Sequence, residues 1–257
     1  MRRALIGYTG FVGGNLLAAG GFARTYNSQN IHSLAGERFD EIVCAGISAV
    51  KWLANKEPEA DWAGIHRLLD VLAQARTERF VLISTIDVYP DPGQALDEDA
   101  ELAPLSSNEP YGRHRLAVEQ WVTERFPVCS VVRLPALFGT GLKKNALYDL
   151  LNGNQIEKIN PASMFQWYPA NRLSRDLARI TEAGLRLVNL FTEPLAMYDI
   201  LARFFPQAKV GAEAGAAVRY ALRTKHAMLF GGTPPYVMST SQVLGAMGEF
   251  VNRELQR

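Results

Sequence analysis

The sequence predicts an α/β protein built on a doubly wound, mostly parallel sheet with helices on both faces. Three observations predict it. Strand-like and helix-like patterns alternate along the first half of the chain. A glycine-rich turn, Gly7-Tyr-Thr-Gly10-Phe-Val-Gly13, joins the first apolar run to the first helical segment. The run 80–84 is apolar almost without interruption, as parallel strands buried on both faces are.

The elements follow in order. Residues 4–8 read as the first strand, 11–19 as the helix after it, 22–26 as a second short strand and 41–45 as a third. The interval between the second and third is too short for a further strand, so the sheet should be trimmed at that edge. A helix over 57–76 opens with Pro58 near its first turn and places Trp62, Ile65, Leu69 and Leu72 on one stripe, a core-packing face. Strand 80–84 is followed by a polar, acidic, proline-containing stretch, 91–110, too long for an ordinary connection and therefore read as a flap. A helix over 111–126 and a strand over 128–133 complete this half. Beyond Gly139 the pattern loosens, with helices predicted at 143–151, 174–183 and 193–204 and a strand at 187–190. A last helix at 241–255 has a Ser-Thr-Ser cluster to cap it.

Composition excludes several classes. Hydrophobic residues make up 48 % of the 257 and charged residues 21 %, the balance of a chain that folds rather than one that stays disordered. With 27 Lys and Arg against 26 Asp and Glu, there is no bulk field to gather nucleic acid or an anionic membrane, so neither is expected as a partner. No apolar run approaches the ~20 residues of a membrane span, and the short N-terminal apolar run is no signal peptide, which leaves a cytoplasmic location as the expectation. Cys44 and Cys129 sit in apolar strand-like runs and are expected buried, reduced and structural. His32, His66, His114 and His226 share no ligand spacing, and no metal site is expected.

The glycine turn carries the first functional signal. Glycine lets the backbone approach a pyrophosphate, and the helix N-terminus supplies unpaired N–H donors to it, so Gly7, Thr9, Gly10, Phe11, Val12 and Gly13 are read as a nicotinamide-dinucleotide cradle in a Rossmann-like fold. A bare glycine turn is also a plain way to join strand to helix; its place after an N-terminal strand favours the cradle. Where NAD is preferred, a carboxylate about 20 residues on usually holds the ribose 2′-hydroxyl. Here the first acidic residue is Glu37, and the second strand ends in Asn27 and Ser28 with Arg24 close by, which favours NADP over NAD. The same two residues would also serve simply to turn the chain. On this reading the division is a dinucleotide-binding domain over 1–140 and a small substrate-binding portion over 141–257, to which the strand near 187–190 returns Rossmann elements.

Further segments complete a pattern: Phe80-Val-Leu-Ile-Ser-Thr-Ile-Asp-Val-Tyr89 ending a strand, Tyr111-Gly-Arg-His-Arg115 opening a helix, Ala45-Gly46 after the third strand, and Arg133-Leu-Pro-Ala-Leu-Phe-Gly139. Together with the glycine turn they resemble the extended short-chain dehydrogenase/reductases, the NAD-dependent epimerase/dehydratase family that modifies nucleotide sugars. The resemblance covers residues 1 to about 145 well and thins beyond. It implies that Tyr111 is the acid or base for a substrate hydroxyl, that Thr85 assists it with Ser84 as the alternative, and that Arg115 occupies the place of a lysine that binds the nicotinamide ribose. It also implies that Ala45, Gly46, Leu134 and Pro135 border the cofactor, and that a dimer forms through the helix bearing Tyr111.

Chemistry supports this spacing independently. A phenol with a pKa near 10 is a poor base at neutral pH, and a cation four residues along a helix lies on the same face and stabilises the phenolate. Arg115 keeps the charge but not the shape of an ammonium. Dehydratases of the family carry two adjacent carboxyl groups after the assisting hydroxyl, where this chain has Ile86 and Asp87, so epimerisation or reduction is expected rather than elimination. Asp87 is read equally as a substrate contact or a turn cap. Lys143, Lys144 and Asn145, at the start of a helix whose dipole opposes positive charge, are candidates for a substrate diphosphate or plain solvated residues. The expected activity is thus an NAD(P)-dependent oxidoreductase or epimerase of a sugar nucleotide. The rival is a catalytically impaired NAD(P)-binding protein with a regulatory or assembly role, suggested by the arginine in the lysine place and by Pro135-Ala136 where the family often has a substrate-binding asparagine.

Overall fold

The structure, a computed structural model, describes residues 1–103 and 109–256. In chain order its strands and helices are β1 (Arg3–Ile6), α1 (Phe11–Ala19), β2 (Arg24–Tyr26), β3 (Arg38–Cys44), α2 (Lys51–Lys56), α3 (Pro58–Leu72), β4 (Arg76–Thr85), α4 (Pro110–Arg125), β5 (Cys129–Leu134) and β6 (Ala136–Phe138). There follow α5 (Ala146–Asn152), β7 (Met164–Phe165), β8 (Trp167–Pro169), α6 (Leu173–Glu182), β9 (Leu187–Asn189), β10 (Leu195–Ala196), α7 (Met197–Phe204) and α8 (Thr240–Leu255). They form two compact units: Met1–Pro90, Glu101–Arg133 and Ile180–Val188 in the first, the remainder in the second.

The first unit is the doubly wound sheet, with strand order β2-β1-β3-β4-β5-β9. Pairing of β1 with β2, β1 with β3 and β3 with β4 is parallel. Ala4, Leu5, Ile42, Val43 and Phe80 are fully buried, which is why these strands read as continuous apolar runs. Ile65, Leu69 and Leu72 of α3 and Val118 and Val122 of α4 join them in the core, with Trp62 packed against its margin and Phe80 stacked on Phe126 at 4.3 Å. As expected from the short interval, β2 is the sheet edge, and only the 3₁₀ turn Ile31–Leu34 separates it from β3. Cys44 and Cys129 are free and buried, and burial pushes the Cys44 thiol up to about 11.

The helix predicted over 57–76 is a different object. Glu57 precedes Pro58, whose ring drives it out of the helical region, to φ −127° and ψ 63°. That residue ends α2 and begins α3, and the chain leaves α3 at Leu72 to enter β4. The sequence does not announce α2: it is six residues long, Val50 offers it no capping side chain, and Trp52 and Leu53 are exposed instead of marking a buried face.

The second unit has its own core around Trp167, Tyr168, Phe138, Phe191 and Phe250. Strand β6 pairs in parallel with β8, and β7 pairs antiparallel with β10; at two or three residues each, they are too short to show a pattern in sequence. Ser239 and Gln242 form a reciprocal capping box at the start of α8, as the Ser-Thr-Ser cluster suggested. The described start of the predicted flap, Asp91–Ala100, is a fixed part of this unit. Ala221 and Arg223 donate their N–H groups to the carbonyls of Pro92 and Leu96, both at 2.7 Å. The buried Glu98 carboxylate accepts from the N–H groups of Asn189 (2.8 Å) and Lys225 (2.9 Å) and from the Thr224 hydroxyl (2.6 Å). Of the rest of that predicted flap, residues 104–108 lie outside the described residues. No helix among the described residues is long and apolar enough to cross a membrane.

Replacing Glu98 by Ala leaves the buried Asn189 N–H and Thr224 hydroxyl and the part-buried Lys225 N–H without an acceptor and should cost about 1–3 kcal/mol in urea unfolding, with cleavage by thermolysin near Leu96 accelerated. Glu98→Gln, which keeps one acceptor, should lose less.

Candidate active site

The glycines of the β1–α1 turn do two different jobs. Gly7 has φ +86°, and a Cβ there would stand 2.4 Å from the Ala45 carbonyl oxygen and 2.6 Å from Gly46 Cα; a Cβ on Gly13 would stand 2.1 Å from the Gly7 carbonyl oxygen. These two let the turn pack on itself and on the end of β3. Gly10 differs, because a Cβ there would meet only the Gly7 oxygen at 3.4 Å. No side chain caps α1 at Gly10, and its first turn holds no acidic residue, so neither the cap residue nor the first turn supplies an acceptor to the N-terminal N–H donors at the positive end of the dipole. Thr9 and Gly10 are exposed, and Ala45 and Gly46 lie against Gly7, so the predicted cradle residues of this unit are brought together in a form that fits a pyrophosphate. Leu134 ends β5 and Pro135 follows it.

At the end of β2, Asn27 turns the chain. Its Oδ1 accepts from Gln29 N–H (2.9 Å), its own N–H donates to Asn30 Oδ1 (2.7 Å), and its Nδ2 reaches the Tyr8 hydroxyl at 3.3 Å. Ser28 is exposed beside it. Glu37, the first acid of the chain, is bound to Arg2 and to the Tyr26 hydroxyl.

Tyr111 stands buried in the first turn of α4, which Pro110 opens. Its backbone N–H donates to Asn55 Oδ1 of α2 at 2.9 Å. Thr85 ends β4 within hydrogen-bonding reach of the phenol, and its hydroxyl also donates to Asp87 Oδ2 (3.0 Å) while accepting from Asp87 N–H (3.2 Å). Asp87 Oδ1 in turn is 2.8 Å from Lys51 Nζ. Burial raises the Tyr111 pKa; the charges of Arg115 and Lys51 and the Thr85 hydrogen bond offset this in part, and Asp87 adds to it.

Arg115 has several partners within the fold. Its guanidinium carbon sits 3.9 Å from the centroid of the Tyr111 ring, so it does lie under the phenol. Yet both Nη atoms are spent: Nη1 donates to Asp61 Oδ2 and to the Tyr111 carbonyl (3.4 Å), and Nη2 donates to Asp61 Oδ1 (2.9 Å) and to the Ser48 carbonyl. Only Nε is left, buried and without a partner. The planar fork has been recruited to a bidentate pair with α3 rather than left to grip a ribose. His114 Nδ1 adds a contact to the same carboxylate at 2.7 Å. Burial opposes the Asp61 charge, but hydrogen bonds from Arg115 and His114 outweigh it and hold the carboxyl below its usual value.

Two proposed substrate residues are spent inside the fold. The Ser84 hydroxyl donates to Glu119, which is paired with Arg133, so Thr85 is the hydroxyl left at Tyr111. Asn145, at φ 106°, accepts from Leu147 and Tyr148 N–H and donates to the Leu137 carbonyl: it is the N-cap of α5. Lys143 and Lys144 are exposed and precede the helix instead of filling its first turn, which removes the dipole conflict expected of them. Lys51, Asn55 and Asp61 were invisible in the sequence, since nothing local marks a partner more than 30 residues away. No cluster able to hold a metal occurs among the described residues.

The first unit thus sets a buried tyrosine beside a strand-end hydroxyl in the same α/β unit as an uncapped, glycine-bordered helix start. The chain belongs to the NAD dependent epimerase/dehydratase family, whose sequence model matches residues 22–157. Comparison with curated protein sequences found no match. Among solved structures it is similar to a dTDP-4-dehydrorhamnose reductase from Clostridium acetobutylicum, at 16 % identity, TM-score 0.74 and full coverage of both chains. It is similar also to a UDP-glucose 4-epimerase from Thermotoga maritima solved with UDP-glucose, at 15 % identity and TM-score 0.74 over 99 % of this chain and 100 % of that one. A third is RMD from Pseudomonas aeruginosa complexed with NADPH, at 19 % identity and TM-score 0.69 over 92 % and 94 %. At such identities the likeness is one of fold.

Asp61→Asn should cost about 3–5 kcal/mol at neutral pH, because it strips the counter-ion from a buried guanidinium. A depressed folded-state pKa means that the pair contributes fully above the unfolded value near 3.9 and loses its contribution as pH falls below it. Urea melts between pH 7 and pH 3 should therefore show a smaller acid-side loss in Asp61→Asn than in the parent.

Proposed function

We propose that this chain is an NAD(P)-dependent oxidoreductase or epimerase acting on a hydroxyl or keto group of a nucleotide sugar. The observation that carries this reading is the buried Tyr111 phenol with the Thr85 hydroxyl beside it at the end of β4. The N–H groups at the start of α1, bordered by Gly7, Thr9, Gly10, Phe11, Val12 and Gly13, would hold the pyrophosphate, and Asn27 and Ser28, which offer no carboxylate, favour NADP over NAD. The nicotinamide, when bound, supplies or accepts the hydride. Tyr111 gives or takes the proton on the substrate oxygen, Thr85 hydrogen-bonds the same oxygen, and Arg115 holds positive charge under the ring. Ile86 is buried and apolar and Asp87 is paired with Lys51, so the two free carboxyl groups that elimination would use are missing.

In the second unit a pocket of about 300 Å³ is lined by Asp149, Lys158, Asn160, Ser163 and Phe165, and the exposed Lys143 and Lys144 are candidate cations for a diphosphate. The outer groove of α3 and α4, lined by Trp62, His66 and Trp121, is the face through which two copies would pair.

A second reading is favoured by the engagement of both Nη atoms of Arg115: a cofactor-binding protein that no longer turns over. Mixing the protein with NADPH or NADH and a panel of keto-sugar nucleotides, following cofactor fluorescence for net reduction, and with NAD or NADP and nucleotide sugars, following the sugar ¹H NMR spectrum for epimerisation, which consumes no cofactor, separates the two. Turnover that falls roughly 10²- to 10⁴-fold in Tyr111→Phe, with cofactor binding unchanged, is the expected result. Parent and variant equally inert while both still bind cofactor would establish the second reading.

A further inference from the structure

The site around Tyr111 has two cations, Arg115 and Lys51, and three carboxylates, Asp61, Asp87 and Glu109; His114 contacts Asp61. Arg115 is held by Asp61 in a bidentate pair, and its charge, 3.9 Å from the ring centroid, still lowers the Tyr111 pKa. Asp87, hydrogen-bonded to Thr85, is the carboxylate whose charge works against the phenol. Left alone, that carboxylate would oppose formation of a phenolate.

Lys51 stands against it. Lys51 and Asn55 are four residues apart on one face of α2, and both reach the start of α4. Asn55 holds the Tyr111 backbone N–H and, at 2.7 Å, the Glu109 carboxylate; Lys51 Nζ lies 2.8 Å from Asp87 and 3.4 Å from Glu109. A six-residue helix thus delivers an ammonium to Asp87, the carboxylate bonded to Thr85.

We propose that Lys51 is a positioning cation of this site: by neutralising Asp87 it keeps the Tyr111 phenol able to give up its proton, alongside the Arg115 charge under the ring. This rests on Tyr111 being the proton-transfer group, but it is tested without turnover. In the full-length protein, 3,5-difluorotyrosine placed at position 111 is a single fluorine probe whose ring fluorines bring the titration into the range where the fold is stable.

The ¹⁹F titration midpoint should move upward by about half a pH unit or more in Lys51→Met, the scale of one charge acting across a half-exposed site. It should return towards the parent value in Lys51→Arg and in the double variant Lys51→Met with Asp87→Asn. An unchanged or lowered midpoint in Lys51→Met overturns the proposal. So does an equal rise in Lys51→Met and Lys51→Arg, which would mark a purely structural role, and so does a full rise persisting in the double variant. If these shifts occur in a protein that turns over no sugar nucleotide, the proposed activity fails and the role of Lys51 stands.

Discussion

The buried pair between Arg115 and Asp61 is the constraint from which the site follows. A guanidinium at 3 % exposure would be prohibitive without a counter-charge, so α4 can place Arg115 under the sheet only if α3 brings a carboxylate to meet it. Asp61 lies in the first turn of α3, three residues after the proline that starts the helix, and the carbonyl of Ser48 beyond β3 closes the remaining side. With the guanidinium locked, the Tyr111 ring stacks on it and its phenol is held at the end of β4 against Thr85. Arginine suits this better than lysine would, since its rigid fork can serve two carboxylate oxygens and two carbonyls at once.

The glycine turn shows a comparable division of labour. Gly7 and Gly13 are demanded by the protein itself, because a single carbon at either position would collide with backbone. Gly10 is not, and its bareness leaves the helix start open to a ligand. A motif read from sequence as one unit is physically two: a packing device, and a gap.

Much of the first unit was legible in the sequence because parallel strands buried on both faces show as apolar runs, and because the short link from Tyr26 to β3 leaves no room for another strand. The glycine turn, Tyr111 and Thr85 were legible for the same reason: their signals are local. What was not legible is how polar side chains are spent. Ser84, Asn145 and both Nη atoms of Arg115 looked available, and the fold consumes them in bonds to Glu119, α5 and Asp61. Conversely nothing in the sequence marks Lys51 and Asn55, and only the docking of α2 reveals them at the start of α4 and at Asp87. The stretch 91–110 read as a flap from its polar composition and its length, yet the buried Glu98 carboxylate ties the described part around it to Asn189, Thr224 and Lys225.

The central claim is that the start of α1 holds a nicotinamide dinucleotide within the unit that carries Tyr111. Isothermal titration calorimetry with NADH and NADPH tests it most directly. The account predicts saturable association of one cofactor per chain, weakened in Gly10→Ala while thermal melting stays unchanged, because the added methyl meets the ligand rather than the protein. Folded protein that takes up neither cofactor at millimolar concentration would contradict it.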